Sequence, residues 1–312
     1  MTRSLSDLKQ TYPDWDVDVR TPCPEIFENN PRLTRLEETD PAVEIISLEN
    51  NEKDIIHSSG VSGIHYTEGF VQEAQKKLKV PITRHGILPE IFISEQEKGW
   101  VNQVADKRFG IEYTGNFWLL NAGYKKGCVL KWYPFYQEVV NLLKDKIQIV
   151  QVGHQDKCKK FIKPDTTDPK CKDCNEVSEF CKDQSHIHPK LDNVFSLVGK
   201  TNLRELIRLS YWSSGSIGGI SFPMHLSAAL NQAAVILAGG KEPVRWEMYP
   251  GHRYLAVNGC MKCCPSDGCW KSKMEDCKNR VGGHPRCFTL IRPEDVARAV
   301  ELYYLGGQLS YD

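Results

Sequence analysis

The segment from Gly219 to Gly240 constrains the fold of this chain more than any other part of the sequence. It indicates a loop, a small-residue helix after Pro223, an apolar strand over residues 233–238 and a closing pair of glycines. Proline suits a first helical turn, and the amides and dipole at a helix start favour an anion. This layout holds phosphate in α/β nucleotide-binding proteins. The alternative is an ordinary core helix without a ligand.

Length and charge limit the class of protein. A chain of 312 residues exceeds the usual single-domain size, which favours two domains. Its 40 basic and 40 acidic residues cancel, so the broad attraction expected of a dedicated nucleic-acid binder is absent. No apolar run approaches the ~20 residues that span a bilayer, and the N-terminus lacks the apolar core of a signal peptide. We expect a cytoplasmic protein, with a peripheral position at the inner face of the membrane as a further option.

Alternating strand and helix patterns predict the domain organisation. In the second half, apolar strands at 116–122 and 147–152 run into Gly123 and Gly153, and residues 135–143 have helical spacing. Repetition of strand, glycine turn and helix predicts a doubly wound parallel sheet with its ligand at the carboxyl ends of the strands.

The first half has a similar but weaker pattern. Strand-like segments at 15–20, 42–48 and 89–93 accompany a helical pattern over 65–78. We therefore predict an N-terminal α/β domain over residues 1–115 and a C-terminal α/β domain over 116–312.

Short motifs in the second half resemble glycosyltransferase family 9, the family of ADP-heptose:lipopolysaccharide heptosyltransferases. They are Asn-Ala-Gly at 121–123, Lys-Trp-Tyr-Pro at 131–134, Gly-Lys-Thr-Asn-Leu-Arg-Glu-Leu at 199–206 and Pro-Met-His-Leu-Ser-Ala-Ala at 223–229. The resemblance covers residues 113 to 305 and implies a GT-B-like fold of two Rossmann-type doubly wound domains. It also implies a nucleotide diphosphate sugar as donor, ADP-heptose among the candidates, and transfer to a hydroxyl acceptor in cell-surface glycan or lipopolysaccharide synthesis.

The same resemblance implies a donor-binding site. Its residues would be Gly123, Lys131, Ser221, Phe222, Met224 and His225. Ser221 is expected to donate its hydroxyl to the diphosphate, and His225 to order the loop or touch the phosphate. Lys131 would neutralise the departing nucleotide diphosphate without a metal ion. For Lys131 the alternative is a solvated lysine beside a core tryptophan.

The catalytic base is harder to place. The family begins with a strand and a Gly-Asp loop whose aspartate is the base, whereas this chain begins at what resembles the following helix. We therefore expect an incomplete N-terminal domain and a base elsewhere, with His65, Glu68 and Glu242 as candidates. A capping or surface role is the alternative for His65.

Two cysteine-rich insertions indicate metal binding. In residues 258–288 the candidate ligands are Cys260, Cys263, Cys264, Cys269, Cys277 and Cys287; in residues 156–188 they are Cys158, Cys171, Cys174, Cys181 and His186. Cys-x-x-Cys spacing lets two sulfurs reach one tetrahedral ion, which predicts structural zinc, or iron. Disulfides, free buried thiols or a loop with incidental cysteines are the alternatives.

Two further functions stay open at the level of sequence. One is a non-catalytic nucleotide-sugar-binding or scaffold protein derived from the same family. The other is a transferase whose acceptor is a protein or a nucleic acid in place of a glycan or lipid-linked sugar, although the zero net charge disfavours nucleic acid.

Overall fold

The structure is a computed structural model that describes residues 1–48, 64–99, 117–125, 132–154, 186–239, 244–257 and 277–304. Its first part is helical, with α1 (Thr2–Thr11), α2 (Tyr66–Leu78), α3 (Glu95–Lys98) and a 3₁₀ turn at Pro24–Ile26. The predicted domain boundary at residue 115 lies outside these ranges.

The described residues of the second part form ten strands. In chain order they are β1 (Phe117–Asn121), β2 (Tyr124–Lys125), β3 (Gln148–Gln151), β4 (His186–Ile187), β5 (Phe195–Ser196), β6 (Gly215–Gly218), β7 (Ala233–Gly239), β8 (His252–Ala256), β9 (Arg280–Val281) and β10 (His284–Pro285). Six of them form a parallel sheet in the order β5-β3-β1-β6-β7-β8. The predicted doubly wound parallel sheet is confirmed. The other four make two short antiparallel pairs, β2 with β4 and β9 with β10.

Helices cover both faces of this sheet. They are α4 (Tyr136–Leu143), α5 (Leu203–Trp212), α6 (Phe222–Ala229), α7 (Val244–Glu247), α8 (Arg286–Thr289) and α9 (Pro293–Tyr304). Along β1, Trp118 and Leu120 join the core under α4 and α9, whereas Phe117 and Leu119 join a second core with Leu209 of α5. A parallel strand buried on both faces is expected to be apolar throughout, which is the sequence of β1.

The first part differs from its prediction. Helix α2 is confirmed, but residues 15–20, 42–48 and 89–93 form no strand in the described part of the chain. Their alternating pattern does not correspond to burial, since Trp15 and Ile45 are exposed. A strand needs a partner strand to complete its backbone hydrogen bonds, and within the described residues these segments have none.

Buried charge holds the first part together. Arg3 of α1 donates to the Asp7 carboxylate at 2.9 and 2.6 Å and to Glu90 at 3.0 Å. Arg84 lies 3.2 Å from the other Asp7 oxygen. A network of this kind compensates the desolvation of charges that would otherwise be costly to bury.

One arginine of the second part binds the first part. Arg204 of α5 donates to both Glu97 oxygens at 2.6 Å, to the Phe92 carbonyl at 2.6 Å and to the Glu25 carbonyl at 3.2 Å. The side chain is buried, with 9% of its surface exposed. Arg204 therefore anchors Glu25, Phe92 and Glu97 to the sheet domain.

Within the described ranges, the helices are all too short or too polar to traverse a lipid bilayer.

Candidate functional site

The order of the parallel strands defines where a ligand would bind. The chain leaves the central strand β1 towards β3 and β5 on one side, and it continues through β6, β7 and β8 on the other. In such a sheet the ligand crevice opens at the carboxyl ends of the two strands where the order reverses, here β1 and β6. Asn121 and Gly218 are paired at this point, and a Cβ on Gly218 would lie 3.0 Å from the Asn121 carbonyl oxygen.

Helix α6 begins directly above this crevice. Ser221 is its N-cap residue with an extended backbone, and Pro223 lies in the first turn. The Ser221 hydroxyl makes no capping hydrogen bond and donates to the Gly219 carbonyl at 3.3 Å. A hydroxyl held by one long bond at the positive end of a helix can turn towards an anion at little cost.

The residues that follow have different surroundings. Phe222 is partly exposed, whereas Met224 is buried and its sulfur accepts from the Tyr254 hydroxyl at 3.3 Å. Met224 therefore belongs to the core under the loop. Phe222 is the side chain that the loop presents to solvent.

His225 lies one turn into α6 and connects to a polar pair. Its Nδ1 is 2.8 Å from the Tyr249 hydroxyl, and its Nε2 is 3.5 Å from a Glu247 carboxylate oxygen. Burial raises the Tyr249 pKa far above its ordinary value, so this hydroxyl stays protonated. Glu247 is itself buried at the end of α7.

The start of α2 packs against the same group. His65 caps α2 by accepting from the Thr67 amide at 3.3 Å, and its Nε2 donates to the Met248 carbonyl at 3.1 Å. Tyr66 lies edge-on to Trp246 and within 6.1 Å of the His225 ring. Burial lowers the His65 pKa. Both ring nitrogens of His65 are therefore engaged: Nδ1 caps α2, and Nε2 joins the two parts of the chain.

The two carboxylates proposed as bases have different positions. Glu68 forms an ion pair with Arg84 on the first part of the chain. Glu242 lies outside the described residues, as does Lys131 of the predicted donor site.

Gly123 lies against a histidine ring. A Cβ on Gly123 would fall 2.1 Å from His188, and one on Gly153 would fall 1.9 Å from the same imidazole. The His188 Nε2 donates to the His154 carbonyl at 2.9 Å. The two glycines that end β1 and β3 thus make room for His188, so the space beside Gly123 belongs to this ring.

Most predicted metal ligands lie outside the described residues, namely Cys158, Cys171, Cys174, Cys181, Cys260, Cys263, Cys264 and Cys269. Cys277 and Cys287 are buried, and His186 lies edge-on to His154. Across the ranges that the structure describes, no group of three or more His, Cys, Asp or Glu side chains is arranged to hold a metal ion.

The sequence indicated that Glu247 could contact a ligand and that Tyr249 packs in the core, but neither residue was included in the predicted site. Glu247 is a charged residue between Trp246 and Met248, shortly after the apolar strand β7. An acidic residue enclosed by large apolar neighbours was the available signal, because buried carboxylates are rare without a partner.

This architecture is that of the GT-B-like glycosyltransferase structures. The Escherichia coli ADP-heptose LPS heptosyltransferase II shares 14% identity and a TM-score of 0.55, over 98% of this chain and 94% of that one. A glycosyl transferase family 9 structure from Veillonella parvula shares 16% identity and a TM-score of 0.50, over 79% of this chain and 62% of that one. The match thus spans less than two thirds of the Veillonella protein. No family model and no curated protein matches the sequence.

Proposed function

We propose that this protein is a glycosyltransferase that takes a sugar from a nucleotide diphosphate donor and transfers it to a hydroxyl of a cell-surface glycan. The observation that carries the proposal is the start of α6 at Ser221, beside the carboxyl ends of β1 and β6. A helix N-terminus at a switch point favours a diphosphate. The structural likeness to an ADP-heptose heptosyltransferase supports ADP-heptose as donor and lipopolysaccharide as acceptor. A position at the inner face of the membrane is part of the proposal, because a lipid-linked acceptor would be met there.

In this mechanism the chain stabilises the leaving group. The first-turn amides of α6, the Ser221 hydroxyl and the Lys131 ammonium would bind the diphosphate as the bond to the sugar breaks. Positive groups arranged for developing negative charge lower the barrier most when they are already in place. Transfer to a hydroxyl also needs a base within hydrogen-bond reach, and we propose Glu242 for this role because it follows the glycine pair after β7 in the sequence.

The first experiment is a calorimetric titration with ADP, UDP, GDP and their sugar conjugates, with released nucleotide followed in the same samples. We expect selective binding of ADP compounds and slow release of ADP from ADP-heptose. Release should accelerate when a lipopolysaccharide core acceptor is added. If none of these nucleotides binds at millimolar concentration, the donor site is not where we propose it.

A non-catalytic donor-binding protein is the second candidate. It is favoured by the engagement of both proposed N-terminal bases, since His65 bonds to Thr67 and Met248, and Glu68 pairs with Arg84. The same titration separates the two functions. Tight ADP-heptose binding without release of ADP, with glycan, protein and oligonucleotide acceptors each tested, would support the binding protein.

We also propose that the two cysteine-rich segments bind structural zinc or iron. Cys-x-x-Cys spacing at 171–174 and 260–263 supports this, as does the scarcity of core-forming residues in 156–188. Elemental analysis of the purified chain should find one or two equivalents of metal, and chelation should lower its melting temperature. A fully folded sample free of metal would exclude the site.

A further inference from the structure

Glu247 is a buried acid with half of its hydrogen-bonding capacity unused. Only 7% of the residue is exposed, and one carboxylate oxygen lies 3.5 Å from the His225 Nε2. The other oxygen, Oε2, has no hydrogen-bond partner among the described residues. A charge in this position is costly unless a cation or a hydrogen bond compensates it.

The hydrogen bonds around His225 determine where its proton lies. The protonated Tyr249 hydroxyl donates to Nδ1 at 2.8 Å, which leaves Nε2 as the protonated nitrogen of the neutral ring. Nε2–H then faces Glu247, whose carboxylate can only accept. This tautomer is assigned from the network of donors and acceptors.

His225 also lies between Glu247 and the proposed phosphate site. It is four residues beyond the N-cap Ser221, about one helical turn of 5.4 Å. While His225 is neutral, the buried Glu247 charge repels a diphosphate bound at the start of α6. Once His225 takes a second proton, the imidazolium and the carboxylate cancel, and that repulsion disappears.

We propose that Glu247 is a positioning residue that couples diphosphate binding to the uptake of one proton by His225. The inference rests on the proposed function, because it places the diphosphate at the start of α6. It assigns Glu247 no contact with substrate. Affinity for a nucleoside diphosphate should then fall as the pH rises, since above neutral pH each binding event must draw a proton from solution.

The other titratable groups around His225 do not compete with it for the proton. The start of α2 contributes His65 and Tyr66 to the surroundings of His225. Burial lowers the pKa of His65, and the Arg84 charge lowers it further. Strand β8 contributes His252 and Tyr254. Burial lowers the pKa of His252 to about 4 and raises the pKa of Tyr254. The lowered pKa values favour the neutral form of both histidines, and the tyrosines keep their protons.

The test is calorimetric titration with ADP at pH 6.0, 7.5 and 8.5, in buffers of different ionisation enthalpy. The unaltered protein should take up protons at pH 7.5, and its affinity should fall at least about tenfold from pH 6.0 to 8.5. Glu247→Gln should abolish the uptake and bind ADP about tenfold more tightly than the unaltered protein at pH 8.5. His225→Gln should bind weakly at every pH. His252→Asn, the matched control, should keep the pH dependence.

Equal proton uptake in Glu247→Gln and the unaltered protein would overturn the proposal, as would weaker ADP binding by this variant at every pH. A purely structural role of Glu247 predicts weaker ADP binding at every pH, so this result would favour that role over the coupling. If ADP does not bind at all, the proposed function fails and the His225 pair is tested separately. Nitrogen-15 spectra of the ligand-free protein should then show the proton on Nε2, and a titration midpoint of the His225 ring that drops in Glu247→Gln. An unchanged midpoint would refute the coupling.

Discussion

Replacing Arg204 with alanine is expected to lower the free energy of unfolding by about 3–5 kcal/mol. The substitution leaves Glu97, only 11% exposed, without the guanidinium that contacts both of its oxygens. It also removes the donors to the Phe92 and Glu25 carbonyls. A largely enclosed carboxylate that loses its counter-charge costs more than the pair itself contributes, so the loss should be large.

Chemical denaturation measures this loss, and Arg292→Ala is the matched control. Arg292 also makes two hydrogen bonds to a carboxylate, that of Asp295, but 69% of its side chain is exposed. Its removal should change the free energy of unfolding by less than about 1 kcal/mol. Similar losses for both variants would mean that Arg204 does not anchor the first part of the chain.

The Arg204 pair also predicts a pH dependence. Burial alone would raise the Glu97 pKa, but hydrogen bonds from Arg204 and Ser94, with the Arg204 charge, lower it to about 2. A folded-state pKa below the ordinary value contributes stability that is complete above about pH 4.5 and is lost as the pH falls towards 2. The difference between the unaltered protein and Arg204→Ala should therefore shrink over this range.

The apolar strands of the sheet were predictable because burial on both faces leaves a continuous apolar run. This holds for β1 and β7, which lie at the centre of the sheet. Strand β6, between them, was missed because Gly-Ser-Ile-Gly has little strand propensity. Gly215 of β6 has no room for a side chain, since a Cβ there would lie 2.7 Å from the Trp118 ring of β1. This requirement comes from the neighbouring strand β1, so the sequence of β6 alone does not reveal it.

In the candidate site, too, local features were predictable from the sequence and long-range contacts were not. The start of α6 at Ser221 follows from a local pattern of loop, proline and small residues, and the structure places it at the carboxyl end of β6. The environment of His65 depends on Met248, 183 residues away in the chain. Glu247 and Tyr249 gain their importance from contacts with His225 on a different helix. Hydrogen-bond partners of this kind are determined by packing, which residue spacing does not specify.

Replacing Ser221 with aspartate is expected to weaken ADP binding by about 100-fold or more. Two unit charges about 4 Å apart repel by about 4 kcal/mol in partly solvated surroundings, and every 1.4 kcal/mol is about tenfold in affinity. The fold should not suffer. Aspartate is a good N-cap residue, Ser221 already has extended backbone angles, and its hydroxyl makes no capping bond that could be lost.

Ser221→Asn separates charge from shape in the same measurement. Asparagine caps a helix as well as aspartate does and has nearly the same size, but it carries no charge. We expect it to weaken ADP binding less than tenfold and to melt within a few degrees of the unaltered protein. The contrast between the two variants in calorimetric titration, at matched melting temperatures, is therefore specific for an anion at the start of α6. Equal affinities for aspartate and asparagine would show that the diphosphate binds elsewhere, because a negative charge beside the diphosphate must weaken binding relative to a neutral amide of the same size.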